Sequence, residues 1–89
     1  MYDHYVTGQL IRQIRTEKGI SQEVLSGLAA VSRSHLAMIE NGSVDAKIDT
    51  LWRISEALGI RFSDLMRRVE ERKSIVAEGP EWYNQSAIR

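Results

Sequence analysis

At residues 32–42 the sequence reads SRSHLAMIENG. Arg33 brings a forked, permanently charged donor and Ser34 a hydroxyl that both donates and accepts. His35 and Asn41 add further polar groups, and Ala37 and Met38 are their apolar neighbours. At the start of a short helical pattern, such side chains can hold a partner through directional hydrogen bonds. They are poor equipment for breaking bonds. The chain has no cysteine, no Ser-His-carboxylate arrangement at convincing spacing and no glycine-rich phosphate loop. Its two histidines, His4 and His35, share no ligand spacing, so neither a metal site nor a cofactor is expected, and His4 reads as decoration of a free end.

The elements that must position this cluster are helices. Val6, Leu10, Ile11 and Ile14 repeat at helical spacing, which predicts a first helix over residues 7–18, stopped by Gly19. Ser21 is an N-cap candidate with Glu23 in the following turn, and it opens a two-turn helix whose expected buried face is Leu25, Leu28 and Ala29. A very short connection leads to Ser32, the next cap. The third helix, 33–41, turns Leu36 and Ile39 inward and leaves Arg33, Ser34, Ala37, Met38 and Asn41 mostly on the other side. A fourth helix over 48–58 is expected to bury Ile48, Leu51, Ile54 and Leu58, and a fifth opens after Ser63, read as its cap. No strand pattern is readable. The expected architecture is all-α: a five-helix domain over 1–73 and a tail over 74–89, where Gly79-Pro80 breaks the pattern.

Bulk properties narrow the possibilities. A chain of 89 residues fits one domain, and it buries only about 60% of its unfolded surface, so a second copy would help to stabilise it. The apolar runs are far too short to span a membrane, and the N-terminus lacks the pattern of a signal peptide, which fits a cytoplasmic protein. The formal net charge is +0, which counts against a strongly basic nucleic-acid binder. The footprint matters more than the total, however. Glu56, Asp64, Glu70, Glu71, Glu78 and Glu81 lie beyond the third helix, whereas Arg12, Lys18, Arg33 and Lys47 lie near it. A modest positive face, with a shallow salt dependence, is therefore compatible with a neutral chain.

Two short helices joined by a tight turn and capped at Ser21 and Ser32 make a helix-turn-helix pattern. In such a unit the N-terminal residues of the second helix meet base edges in the major groove of double-stranded DNA. Arg33 can pair with guanine O6 and N7, a contact worth about 1–3 kcal/mol of discrimination. Ser34 can donate or accept at any base, and Ala37 and Met38 can touch a thymine methyl. Ser32 caps and can also touch DNA, His35 is a phosphate or edge contact, and Gln22 and the free backbone N–H groups beside it can donate to a phosphate.

The run IRQIRTEKGISQEVLSGLAAVSRSHLAMIENG, followed by IDTLWRISEALGI, resembles the XRE family, the helix-turn-helix domains of Cro and lambda-type repressors. It is also similar to the small controller proteins of restriction–modification systems and to some antitoxins. The likeness extends over about residues 6–69. Arg12, Arg15, Gly19, Ser21, Gln22, Leu25, Val31, Ser32, Ile39, Glu40, Gly42, Leu51, Leu58 and Gly59 carry it. The resemblance implies a lambda-repressor-like fold of five helices, a homodimer on DNA, transcriptional regulation, and a pair between Arg15 and Glu40 tying the first helix to the third.

Three positions depart from the family pattern. Ser26 replaces a usual alanine, Ala30 a frequent glycine, and Ala46-Lys47 the usual Pro-Ser before the fourth helix. If position 30 must be left-handed, alanine there costs about 1 kcal/mol.

The expected reading is a sequence-specific regulator that binds a pseudo-palindromic operator as a homodimer. Gln22, Ser32, Arg33, Ser34, His35, Ala37, Met38, Asn41 and Lys47 are its DNA contacts, and Trp52, Phe62, Leu65, Met66 and Val69 its dimer surface. Two alternatives stand beside it. In one, an antitoxin or controller uses the apolar residues of its tail, among them Ile75, Val76, Trp82, Tyr83 and Ile88, to hold a partner protein. In the other, an interaction module has kept the fold and lost DNA binding.

Overall fold

Ser21 and Ser32 each stop the preceding turn and start a helix, because each hydroxyl accepts a backbone N–H that the helix itself cannot satisfy. Ser21 Oγ takes Val24 N at 3.1 Å, and Ser32 Oγ takes His35 N at 3.1 Å. The structure, a computed structural model, describes the backbone of residues 1–76 and the side chains of residues 1–72. Five helices follow one another: α1 (His4–Glu17), α2 (Gln22–Ala29), α3 (Arg33–Glu40), α4 (Ile48–Leu58) and α5 (Phe62–Val76). Among the described residues there is no strand, and no helix is long and apolar enough to cross a membrane.

One core joins them. α2 packs on α3 and α4, α1 on α3 and α5, and α4 on α5. At the centre Ile11, Leu25, Leu36, Ile54, Leu58 and Leu65 are almost wholly removed from solvent. Each such side chain contributes about 1.5–3 kcal/mol relative to an exposed one.

Two apolar residues expected inside are outside. Leu28 is 63% exposed and Ile48 68%. In α2 the inward arc is Leu25, Ser26 and Ala29, so Leu28 falls beyond its edge. In α4 the arc is Leu51, Ile54 and Leu58 with Thr50 and Ser55, and Ile48 sits at the helix start, clear of the core.

Helix ends moved as well. α1 begins at His4, a turn earlier than the apolar stripe indicates, because Asp3 caps it by accepting Tyr5 N at 3.0 Å. His4 is therefore no loose end, and its Nε2 lies 3.1 Å from the Gly42 carbonyl, closing α1 onto the end of α3. α5 begins at Phe62, whose ring stacks on Trp52 at a centroid distance of 5.3 Å. Ser63 thus lies in its first turn and is not its cap. The expected boundary between residues 73 and 74 falls inside α5, and the tail proposed to hold a partner lies outside the described residues from 77 onward. α4 starts at Ile48 as expected, although Lys47 at its N-cap makes no side-chain bond to it.

Burial also corrects the dimer surface. Leu65 is 0% exposed and Val69 3%, so both are spent in the chain's own core and neither can reach a second copy. Trp52 is exposed, and Phe62 and Met66 are half-buried.

The turn between α2 and α3 requires a left-handed residue. Ala30 has φ 55° and ψ 46°, the region in which a Cβ crowds the following carbonyl. The turn closes through Ala30 N to Gly27 O at 3.3 Å and Val31 N to Ser26 O at 3.0 Å. Arg53 of α4 braces it by donating to Ala30 O at 2.8 Å and Ala29 O at 3.2 Å. Ala30→Gly is expected to stabilise the chain by about 1 kcal/mol, because glycine holds this conformation without the clash. A urea midpoint that fails to rise would show that the surrounding contacts have already relieved the strain.

Candidate nucleic-acid interface

α3 is fixed from below by a buried polar network. Glu40 is 4% exposed and Arg15 9%. Arg15 Nε donates to Glu40 Oε2 at 2.7 Å and Nη2 to Oε1 at 3.0 Å, a two-pronged pair. The remaining prong, Nη1, donates to Ile20 O at 2.8 Å, at the start of the turn into α2. Gln22 Nε2 adds a third donor to Glu40 Oε1 at 3.0 Å. One carboxylate near the end of α3 thereby ties α1, α2 and α3 together. The pairing of Arg15 with Glu40, implied only by resemblance in the sequence, is observed.

Gly8 contributes through the absence of a side chain. A Cβ built on it would lie 2.0 Å from Ile39 O and 3.1 Å from Glu40 O. α1 therefore crosses α3 at backbone contact. Gly42, left-handed at φ 81°, ends the same helix under the ring of Tyr5. Sequence reasoning missed Gly8, although a signal was present: a glycine inside a strong helical pattern costs about 1 kcal/mol against alanine and calls for a packing reason. Arg53 under the turn had no comparable signal.

With α3 so fixed, its outer side carries two stripes. Arg33, Ala37 and Asn41, at successive helical turns, line one wall of a hollow of about 450 Å³, together with Arg12, Arg15, Gln22 and Glu40. Ser34 and Met38 form the neighbouring stripe, both exposed. His35 is half-buried, Ser32 is taken up as the cap of α3, and Lys47 is exposed at the start of α4. The hollow thus gathers four of the nine expected contacts, Gln22, Arg33, Ala37 and Asn41, and Ser34 and Met38 flank it. Two of these four have their bonding directions set. The Gln22 amide is committed to Glu40. Asn41 Oδ1 accepts Ser43 N at 2.9 Å and also the Ser43 hydroxyl, which leaves its NH2, a donor only, without a partner among the described residues. Arg33 has no protein partner among the described residues.

Such a surface offers donors, a positive charge and small apolar contacts on a helix held to its frame. It offers no paired acid and base, and among the described residues no group of three or more metal-ligating side chains that could hold an ion.

Comparison with known proteins agrees with this geometry. Residues 11–65 match the family model HTH_3, helix-turn-helix. The chain is similar to control protein C.BamHI of Bacillus amyloliquefaciens, 38% identical over 60 residues that make up 66% of this chain and 74% of that protein. It is similar to control protein C.MunI of a Mycoplasma species, 32% identical over 65 residues, 72% of this chain and 88% of the other. Among solved structures, the restriction-modification controller protein C.AhdI from Aeromonas hydrophila superposes with a TM-score of 0.69 at 32% identity, covering 73% of this chain and 98% of that one.

Proposed function

Because the chain belongs to the helix-turn-helix family of DNA-binding regulators, we propose that it controls transcription by reading a two-fold operator in double-stranded DNA as a homodimer. The observation that carries this is the outer side of α3, where unpartnered Arg33 stands at the N-terminal turn beside exposed Ser34 and Met38. Arg33 and Ser34 read base edges, Ala37 and Met38 contact thymine methyls, and Asn41 and Lys47 contact the backbone. Gln22 acts through Glu40 and through the free backbone N–H groups at the start of α2. The second copy packs on the exposed Trp52 ring, Phe62 and Met66, the apolar surface that α4 and α5 leave open. Similarity to two control proteins favours a controller-type regulator over an antitoxin, and the outward donors on α3 disfavour an interaction module without DNA.

Selection from a random DNA pool tests this. The expected product is a two-fold site with half-sites about ten base pairs apart, roughly 34 Å, one turn of the duplex. Arg33→Ala is expected to weaken binding to the selected operator about 30-fold or more while leaving unrelated DNA nearly unaffected, because each half-site loses a bidentate base contact of about 1–3 kcal/mol. No enrichment of any sequence, or equal losses on both DNAs, would refute the assignment of Arg33 to a base.

A further inference from the structure

The interface extends beyond α2 and α3. Arg12, on α1, lines the hollow below Arg33 and also a second hollow of about 490 Å³ on its other side, where Tyr5, Gln9, Gln13 and Thr16 are its neighbours. Arg12, Glu40 and Asn41 line both hollows, so Arg12 and Asn41 border the same surface as Arg33. Its guanidinium is exposed and makes no hydrogen bond or ion pair among the described residues. The other charges nearby do not neutralise it: Glu40 is engaged by Arg15 at 2.7 Å and 3.0 Å. Arg12 and Arg33 are therefore uncompensated charges bordering this hollow. Arg12 follows Gly8 by one helical turn, and the backbone contact made there holds α1 close enough to α3 for both arginines to border one hollow.

We propose that Arg12, together with the Asn41 amide, grips a DNA phosphodiester beside the bases read by Arg33, making α1 the second wall of the DNA site. The proposal rests on the DNA-binding reading above. A guanidinium and an amide NH2 are donors only, which suits a phosphate oxygen and carries no sequence information. Neutralising a phosphate releases condensed counterions, so each engaged Arg12 adds about 0.9 to the slope of log affinity against log salt.

The test uses the full-length chain, its selected operator duplex and an unrelated duplex of equal length, titrated at several salt concentrations. Arg12→Gln is expected to weaken binding to both duplexes by the same factor and to lower the salt slope by about 0.9 for each protomer bound. Arg12→Lys keeps the charge and should retain the slope, which separates a phosphate contact from a packing role. Arg33→Ala, in contrast, should lose operator affinity with little change of slope. An unchanged slope in Arg12→Gln, or a loss confined to the operator, overturns the clamp while leaving the DNA reading intact. A wild-type chain that binds neither duplex at low salt overturns both.

Discussion

Arg15→Met is expected to lower the unfolding free energy by about 3–5 kcal/mol, the usual consequence of removing one partner from a buried ion pair. Against a total of about 5–15 kcal/mol for a small domain, that is a large share. The reason lies in what remains. Glu40, 4% exposed, would be left with Gln22, at 3.0 Å, as its only side-chain donor among the described residues, and Ile20 O would lose the donor it now has at 2.8 Å. The favourable energy of the pair itself is much smaller than this loss, because both ions gave up hydration to form it. The double variant Arg15→Met/Glu40→Met is therefore expected to be more stable than Arg15→Met alone, since it removes the stranded charge. Urea unfolding of the three proteins decides the matter. A single variant that loses less than about 1 kcal/mol, or a double variant worse than the single, would mean that water reaches Glu40 and that the network is not sealed.

Gly8→Ala is the second large effect, and its sign runs against helix propensity. Inside a helix, alanine is favoured over glycine by about 1 kcal/mol. Here the new methyl would sit 2.0 Å from Ile39 O, a backbone atom that cannot turn aside. α1 and α3 would have to separate, and overpacking of this kind costs about 1–3 kcal/mol or more. A net loss of about 2 kcal/mol is expected, together with weaker operator binding, because the same separation moves Arg12 away from Arg33. Gly27→Ala is the internal control. It lies in α2 with nothing within 4 Å of an added Cβ, so it should stabilise by up to about 1 kcal/mol. If Gly8→Ala behaved like Gly27→Ala, the backbone contact between α1 and α3 would not exist in solution.

The two substitutions differ in how visible their sites are in the sequence. Arg15 and Glu40 stand out only by resemblance, since nothing in their spacing says that residues 25 positions apart meet. Gly8 has a local signal, the wrong residue for a helix interior, but that signal does not say which backbone it approaches. Gln22 is legible as a first-turn residue, while its donation to Glu40 depends on the angle between α2 and α3. The outer stripe of α3 follows directly from Leu36 and Ile39 taking the inner side.

The sequence by itself determined the order of the helices of this protein and the caps of α2 and α3, Ser21 and Ser32. Apolar spacing and the hydroxyls of Ser21 and Ser32 act over one or two turns, so they can be read without a fold. It also determined that Arg33, Ser34, Ala37 and Met38 share a side of one short helix. Only the tertiary structure decided which apolar residues are used up inside. Leu28 and Ile48 are left in solvent, while Leu65 and Val69, candidates for a partner, are buried in the chain's own core. Those outcomes depend on which arc of each helix its neighbours cover, a consequence of how α1 crosses α3 and α2 meets α4. Helical periodicity names a face, but only packing at short range decides what covers it.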